Sequence, residues 1–328
     1  MSSPKRTLLP RIALVLTHTL LTLNLKTPNL LIKALKTQKE QVRCISITLI
    51  QSIMLFLQSH HIVDLYCWVD NQIEYTKRPR IGRPCLLNDS EVITILIWNT
   101  CTLHQKTLKD TYHTMRLYHE RDFNQLPSYQ TFVRRTHDLI PVMLKLLEQL
   151  LSDTEAVRIM DATMLPVSKN HRADRHKVAK DIAQFGKNWQ GWHYGFKLHA
   201  SISLDGRLCG LCLTPANVYD AQAMVKILNE HCVLAVGDTL YGARVMGSII
   251  KNKFGTTIIA PPWPSQKMKL ATAWQLDLLN QRSKIECVFD YLKEHLHLVS
   301  SFPRSVAGYV VHYVRILLGY QIMALCKG

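Results

Sequence analysis

The sequence predicts an α/β fold in which a mixed sheet is flanked by helices, preceded by an all-helical region. Three observations predict it. Up to about residue 150, apolar residues recur at helical spacing and no strand-type run interrupts them. After residue 155, β-rich apolar runs alternate with helical ones, an order that a sheet covered by helices satisfies. With 328 residues, 47% of them hydrophobic, the chain can bury a sizeable core in one or two domains.

Residues 1–54 read as an N-terminal extension. Its start, MSSPKRTLLPRIALVL, superficially resembles a targeting segment, but no clear small-residue cleavage site follows. Glu40 is the only acid before Asp64. The stretch is either a helical extension or upstream sequence, with Met54 nearer the natural beginning. Residues 55–150 read as the helical region. A helix covers 55–75, and KRPRIGRPCLLND is a basic, Pro-rich connector. Asn88 or Asp89 caps the helix through SEVITILIWNTC, with Glu91 in its first turn. Ser128 caps a short helix carrying Arg134, Arg135 and His137, and Pro141 marks a break before a second amphipathic helix. That short helix after a turn suits the recognition helix of a helix-turn-helix, with Arg134 and Arg135 toward DNA. PRIGRP has the make-up of a minor-groove arm.

Residues 151–328 read as the α/β domain. AVRIMDATMLPVS is a buried strand, and GFKLHASISLDGRLCGLCLTPANV is a hairpin turned at Asp205-Gly206. DAQAMVKILNE is helical, CVLAVGD a buried strand, ARVMGSIIKNK helical, and TTIIAPPW a short strand. QRSKIECVFDYLKEHLHL then reads as one helix over 281–298. Ile285, Val288, Leu292 and Leu296 form its apolar stripe, while Arg282, Glu286 and Lys293 share another side.

Forty Lys and Arg against 24 Asp and Glu leave a net charge of +16. The excess is even: 19 basic against 11 acidic residues up to residue 150, and 21 against 13 beyond it. Such a body suits a protein that lies along a polyanion. Nine cysteines without a disulfide framework point to a reducing cytoplasm. Cys209 and Cys212, three apart on a strand, face opposite sides and make a poor metal clip. The two best apolar runs, IALVLTHTLLTLNL and CISITLIQSIMLFL, fall short of the ~18–20 residues that span a bilayer.

Two acids follow buried-type strands, Asp161 after VRIM and Asp238 after VLAVG. A carboxylate there is costly unless it is paired, hydrogen-bonded or metal-bound. With Glu286 they make three hard oxygen donors without a His/Cys set, which favours Mg²⁺ or Mn²⁺ over zinc. The plain reading of Glu286 is a surface ion pair with Arg282.

GRPCLLNDSEV, MDATMLPVS, WHYGFKLHASIS, LTPANVYD, GDTLYG and RSKIECVFDYLK together resemble the DDE transposases of bacterial insertion sequences, of the nine-eighty-two type. The resemblance covers roughly residues 60–325 and implies an RNase H-like catalytic domain. It assigns Asp161, Asp238 and Glu286 as catalytic residues and ligands of two Mg²⁺ or Mn²⁺ ions. Arg282 and Lys293 match an Arg-x₃-Glu-x₆-Lys signature and would hold DNA phosphates. The chain departs from that pattern at Leu279, where the family has Tyr, and at Thr239-Leu240, where it has Lys-Gly. The implied function is cleavage of insertion-sequence ends and joining of the 3′-OH to target DNA. The implied partners are double-stranded inverted-repeat ends, target DNA and further copies of the chain, at the bacterial nucleoid, without a membrane. A metal-dependent nuclease of the same fold and an inactive remnant that only binds DNA are the alternatives.

Other residues are less determined by pattern. Lys197 shares a strand face with His199 and either touches phosphate or is solvated. SKNHRADRHKVAK is a basic loop suited to gripping a DNA backbone. Trp189, Trp192 and Trp263 read as packing residues rather than as platforms for an unpaired base.

Overall fold

The computed structural model describes residues 61–73, 85–123, 125–263, 265, 271–300 and 302–326. The extension over 1–54, the PRIGRP arm and the start of the first expected helix lie outside these residues. Five helices come first: α1 (Ile62–Ile73), α2 (Asp89–Cys101), α3 (Leu108–Tyr118), α4 (Tyr129–Asp138) and α5 (Ile140–Leu150). Asn88 starts α2 in a capping box: its Oδ1 accepts from Glu91 N at 2.7 Å, and Glu91 Oε2 accepts from Asn88 N at 2.5 Å. Ser128 caps α4, and Pro141 sits in the first turn of α5, where its missing N–H costs nothing. The sequence reading passed over α3, which Thr107 and Asp110 cap reciprocally.

The sheet is built outward from β1 (Val157–Ser168) and β3 (Gly191–Ile202), which pair antiparallel from Ile159↔Ile202 to Ser168↔Tyr194. The other edge of β3 is shared end to end by β2 (Gln184–Asn188) and β4 (Leu208–Pro215). The β3–β4 turn places Gly206 at φ +91°, a conformation L side chains rarely adopt. On the far edge of β1, β5 (Leu234–Val236) and β6 (Thr257–Ile259) add in parallel. Helix α6 (Asp220–Ile227) connects β4 to β5, and α7 (Arg244–Phe254) connects β5 to β6. These two cover one face, where Met160, Met224, Ile227, Ala235 and Ile250 form a core. The opposite face of β1 meets α9 (Ser283–Asp290). Phe196 of β3 there meets Tyr309 and Tyr313 of α10 (Val306–Cys326). A mixed sheet with helices on both faces fits an RNase H-like fold.

Two expectations need correction. Residues 281–298 are not one helix. After α8 (Ala273–Asn280), α9 begins at Ser283 and passes into a π-helical turn, Tyr291–His295. His297 then adopts φ +58° and ends the helical run. The second correction is α10, apolar and 21 residues long, hence long enough to cross a membrane. His312, Arg315 and Gln321 interrupt its apolar run in the sequence. Most of it is buried inside the fold, packed on α2 and α5.

Those polar residues tie the helical region to the sheet. Gln321 Oε1 accepts from Leu208 N of β4 at 2.8 Å, and its Nε2 donates to Leu150 O of α5 at 2.6 Å. The fully buried Arg315 donates to Thr100 Oγ1, Gln105 O and Lys106 O at 3.2, 3.0 and 2.9 Å. Arg315→Ala is expected to cost about 2–4 kcal/mol, because it opens a cavity and strands two carbonyls and a hydroxyl. A urea midpoint displaced by that amount, with unchanged slope, checks it.

Candidate active site

Asp161 does not end its strand; β1 runs on to Ser168. What ends beside it is β5. Partners on β1 and β5 differ by 77 in number, from Val157↔Leu234 to Ile159↔Val236. Asp161 and Asp238 differ by the same 77, so the two stand side by side where β5 stops. Alternation puts Asp161 on the face opposite Met160, and so toward α9 rather than into the α6–α7 core. Asp161 Oδ1 accepts from Ala162 N at 2.8 Å, and Asp238 Oδ1 caps the turn after β5 by accepting from Leu240 N at 2.9 Å.

Burial pushes the Asp161 carboxyl up to about 6, opposed by the Ala162 N–H and reinforced by the charge of Asp238. Asp238 is raised as well, first by burial, while the backbone N–H groups of Leu240 and Tyr241 oppose. Asp220 raises both and Arg282 lowers both. The result is a partly buried pair of carboxylates short of positive charge. Lys293, on the π-helical turn, lies within the field of Asp161; burial lowers its amine, and Asp290, Glu294 and Asp161 oppose. Such turns break the α-helical register and often occur at functional positions.

The structure therefore groups Asp161, Asp238, Arg282 and Lys293. Glu286 sits one turn beyond Arg282, exposed, its Oε1 at 3.3 Å from Arg282 Nη1. Among the described residues no group of three or more His, Cys, Asp or Glu is arranged to hold a metal ion. The pair of aspartates fits a divalent cation: the donors are hard carboxylate oxygens on neighbouring positions of β1 and the end of β5.

Three expected DNA contacts are placed differently from one another. Lys197 lies opposite Met164, on the sheet face away from Asp161. There its Nζ donates to Asp220 Oδ1 at 2.9 Å and to Val218 O at 3.0 Å. His199 shares that face, as alternation predicted; burial lowers it to about 4 despite Asp220, and Nε2 lies 2.9 Å from Thr214 Oγ1. Arg135 is buried and bonded to Asp89 Oδ1 at 2.5 Å, bracing α4 against α2. Arg134 is exposed on the same helix.

Two residues near the carboxylates escaped the sequence reading. Asp220 holds Lys197 and acts electrostatically on both aspartates. Tyr241 is fully buried, and its hydroxyl finds no hydrogen-bond partner among the described residues. Burial and the charges of Asp220, Asp161 and Asp238 raise that hydroxyl well above the usual range. The available signal was the pair of segments LTPANVYD and GDTLYG, whose Asp220 and Tyr241 had no assigned role.

Residues 151–306 match a family model described as Transposase DDE domain. A search among curated proteins found no match. The family match supports a DDE transposase, an enzyme acting on DNA in transposition and recombination.

Proposed function

We propose that the chain is the transposase of a bacterial insertion sequence of the nine-eighty-two type, which cuts the element's ends and joins the 3′-OH to target DNA. The observation that carries this reading is the side-by-side Asp161–Asp238 pair, under the field of Arg282 and Lys293, inside the segment that matches the family. Asp161, Asp238 and Glu286 would hold two Mg²⁺ or Mn²⁺ ions. When bound, these ions supply the positive charge that activates an attacking oxygen and stabilises a leaving one.

The chain's own residues do the rest. Arg282, released from Glu286, and Lys293 hold the phosphates on either side of the cut bond. Asp238 is fixed by the backbone N–H of Leu240, so its free oxygen keeps one direction. Residues 55–150 are the DNA-binding region, with the exposed Arg134 at its surface. Residues 151–328 form the catalytic domain, and copies of the chain assemble on DNA at the nucleoid.

Duplex DNA carrying the sequences that flank the gene tests this reading. Mg²⁺ or Mn²⁺ is expected to support cleavage and Zn²⁺ to support it poorly. Cleavage that persists in excess chelator would overturn the assignment.

A further inference from the structure

We propose that the tip of the β2–β3 hairpin is a stacking platform for an unpaired DNA base, with Trp189 and Trp192 supplying the rings. The inference rests on the reading of the chain as a DNA-acting enzyme. Both tryptophans were expected to pack. Instead Trp189 is 91% exposed and Trp192 57% exposed. Large rings left in water on a fixed backbone mark a surface that something covers.

The backbone at the tip is held firmly. Asn188↔Gly191 is the last pair of the hairpin, so Trp189 and Gln190 form a two-residue loop. Asn188 Oδ1 accepts from Gln190 N at 2.9 Å and lies 3.0 Å from His193 Nε2. Gly191 has φ +117°, which disfavours any side chain there. Asn170 Nδ2 donates to Trp192 O at 2.6 Å, tying the basic segment to the hairpin. The rings thus project from a hydrogen-bonded two-residue turn.

Charge decides what covers them. Lys169, Arg172, Arg175, Lys177, Lys180 and Lys187 are all exposed, against Asp174 and Asp181 in the same stretch. Lys187 pairs across the hairpin with Trp192 and holds its amine 5.9 Å from that ring's centroid. A second copy of the chain would bring the same cations and repel. Nucleic acid brings phosphates for the cations and π faces for the rings. The hairpin extends the strand β3 that pairs with β1 at Asp161, through Ala200. Strand cleavage is where bases lose their partners.

The test uses the full chain, a fluorescent dT12 oligonucleotide and a 12-base-pair duplex, with affinities from anisotropy. The double variant Trp189→Ala/Trp192→Ala is expected to bind dT12 about tenfold or more weakly. Duplex affinity should change less than about twofold, and Trp189→Phe/Trp192→Phe should recover most of the dT12 loss. Unchanged dT12 affinity, or equal losses on both DNAs, overturns the platform while leaving the DNA-acting reading intact. Wild-type protein that binds neither probe overturns both. A changed sedimentation coefficient with unchanged dT12 affinity would assign the rings to self-association instead.

Discussion

Asp161→Asn is expected to abolish strand cleavage and, at the same time, to stabilise the metal-free protein at neutral pH. The substitution keeps shape and volume and removes one charge. In the fold, burial and Asp238 raise this carboxyl from its ordinary value near 3.8 to about 6. The folded state therefore binds the proton more tightly than the unfolded chain does. Below pH 4 both states hold the proton and nothing is lost. Stability falls as pH rises from about 4 to about 6, and the full penalty stands above that. After discounting for solvent screening, the variant should gain on the order of 1–2 kcal/mol at pH 7.5, a few degrees in Tm. The gain should vanish toward pH 4. Thermal melts in chelator at pH 4 and 7.5 measure it, and added Mg²⁺ should stabilise the wild type more than the variant. A variant less stable than wild type at pH 7.5 would contradict the charge deficit.

The second large effect belongs to Glu286. As the outer member of an exposed ion pair with Arg282, it should contribute only about 0.3–0.5 kcal/mol. As the third metal ligand, its loss as Glu286→Gln should lower cleavage and joining by several orders of magnitude. On the proposed reading, Glu286 would exchange its pairing with Arg282 for a place beside the aspartates when metal binds. Arg282→Ala separates the two roles. It removes the pair and a phosphate contact, so DNA engagement weakens while metal-induced stabilisation survives.

Local signals in the sequence carried most of the fold. Asn88, Ser128 and Pro141 marked helix starts because capping depends on a few adjacent residues. The β3–β4 hairpin was readable from Asp205-Gly206 between alternating runs. A mixed sheet was expected from short apolar runs alternating with helical ones; the pairing shows its parallel edge to be β5 and β6. What was not legible depends on partners distant in sequence. Residues of α10 look polar-interrupted until Thr100, Gln105 and Leu150 are brought to Arg315 and Gln321. Arg135 looked like a groove contact because nothing local reveals Asp89, 46 residues earlier. Trp189 and Trp192 looked like core because large rings usually are; only the hairpin's short turn leaves them outside. At the candidate site, Asp161 and Asp238 were singled out as acids following short apolar runs, although β1 continues through Asp161 to Ser168. Their common register is a property of the sheet, and the π-helical turn that carries Lys293 has no periodicity to announce it.

The most direct test is strand transfer by purified Glu286→Gln protein, shown by circular dichroism to be folded and by anisotropy to bind end DNA. A precut, 3′-labelled duplex bearing the element's terminal sequence and a supercoiled target plasmid, in Mg²⁺, report the joined product. Wild type is expected to join and Glu286→Gln to leave joining at the level seen in chelator. Near-normal joining by the folded, DNA-bound variant would reduce Glu286 to a surface partner of Arg282 and contradict the three-carboxylate site.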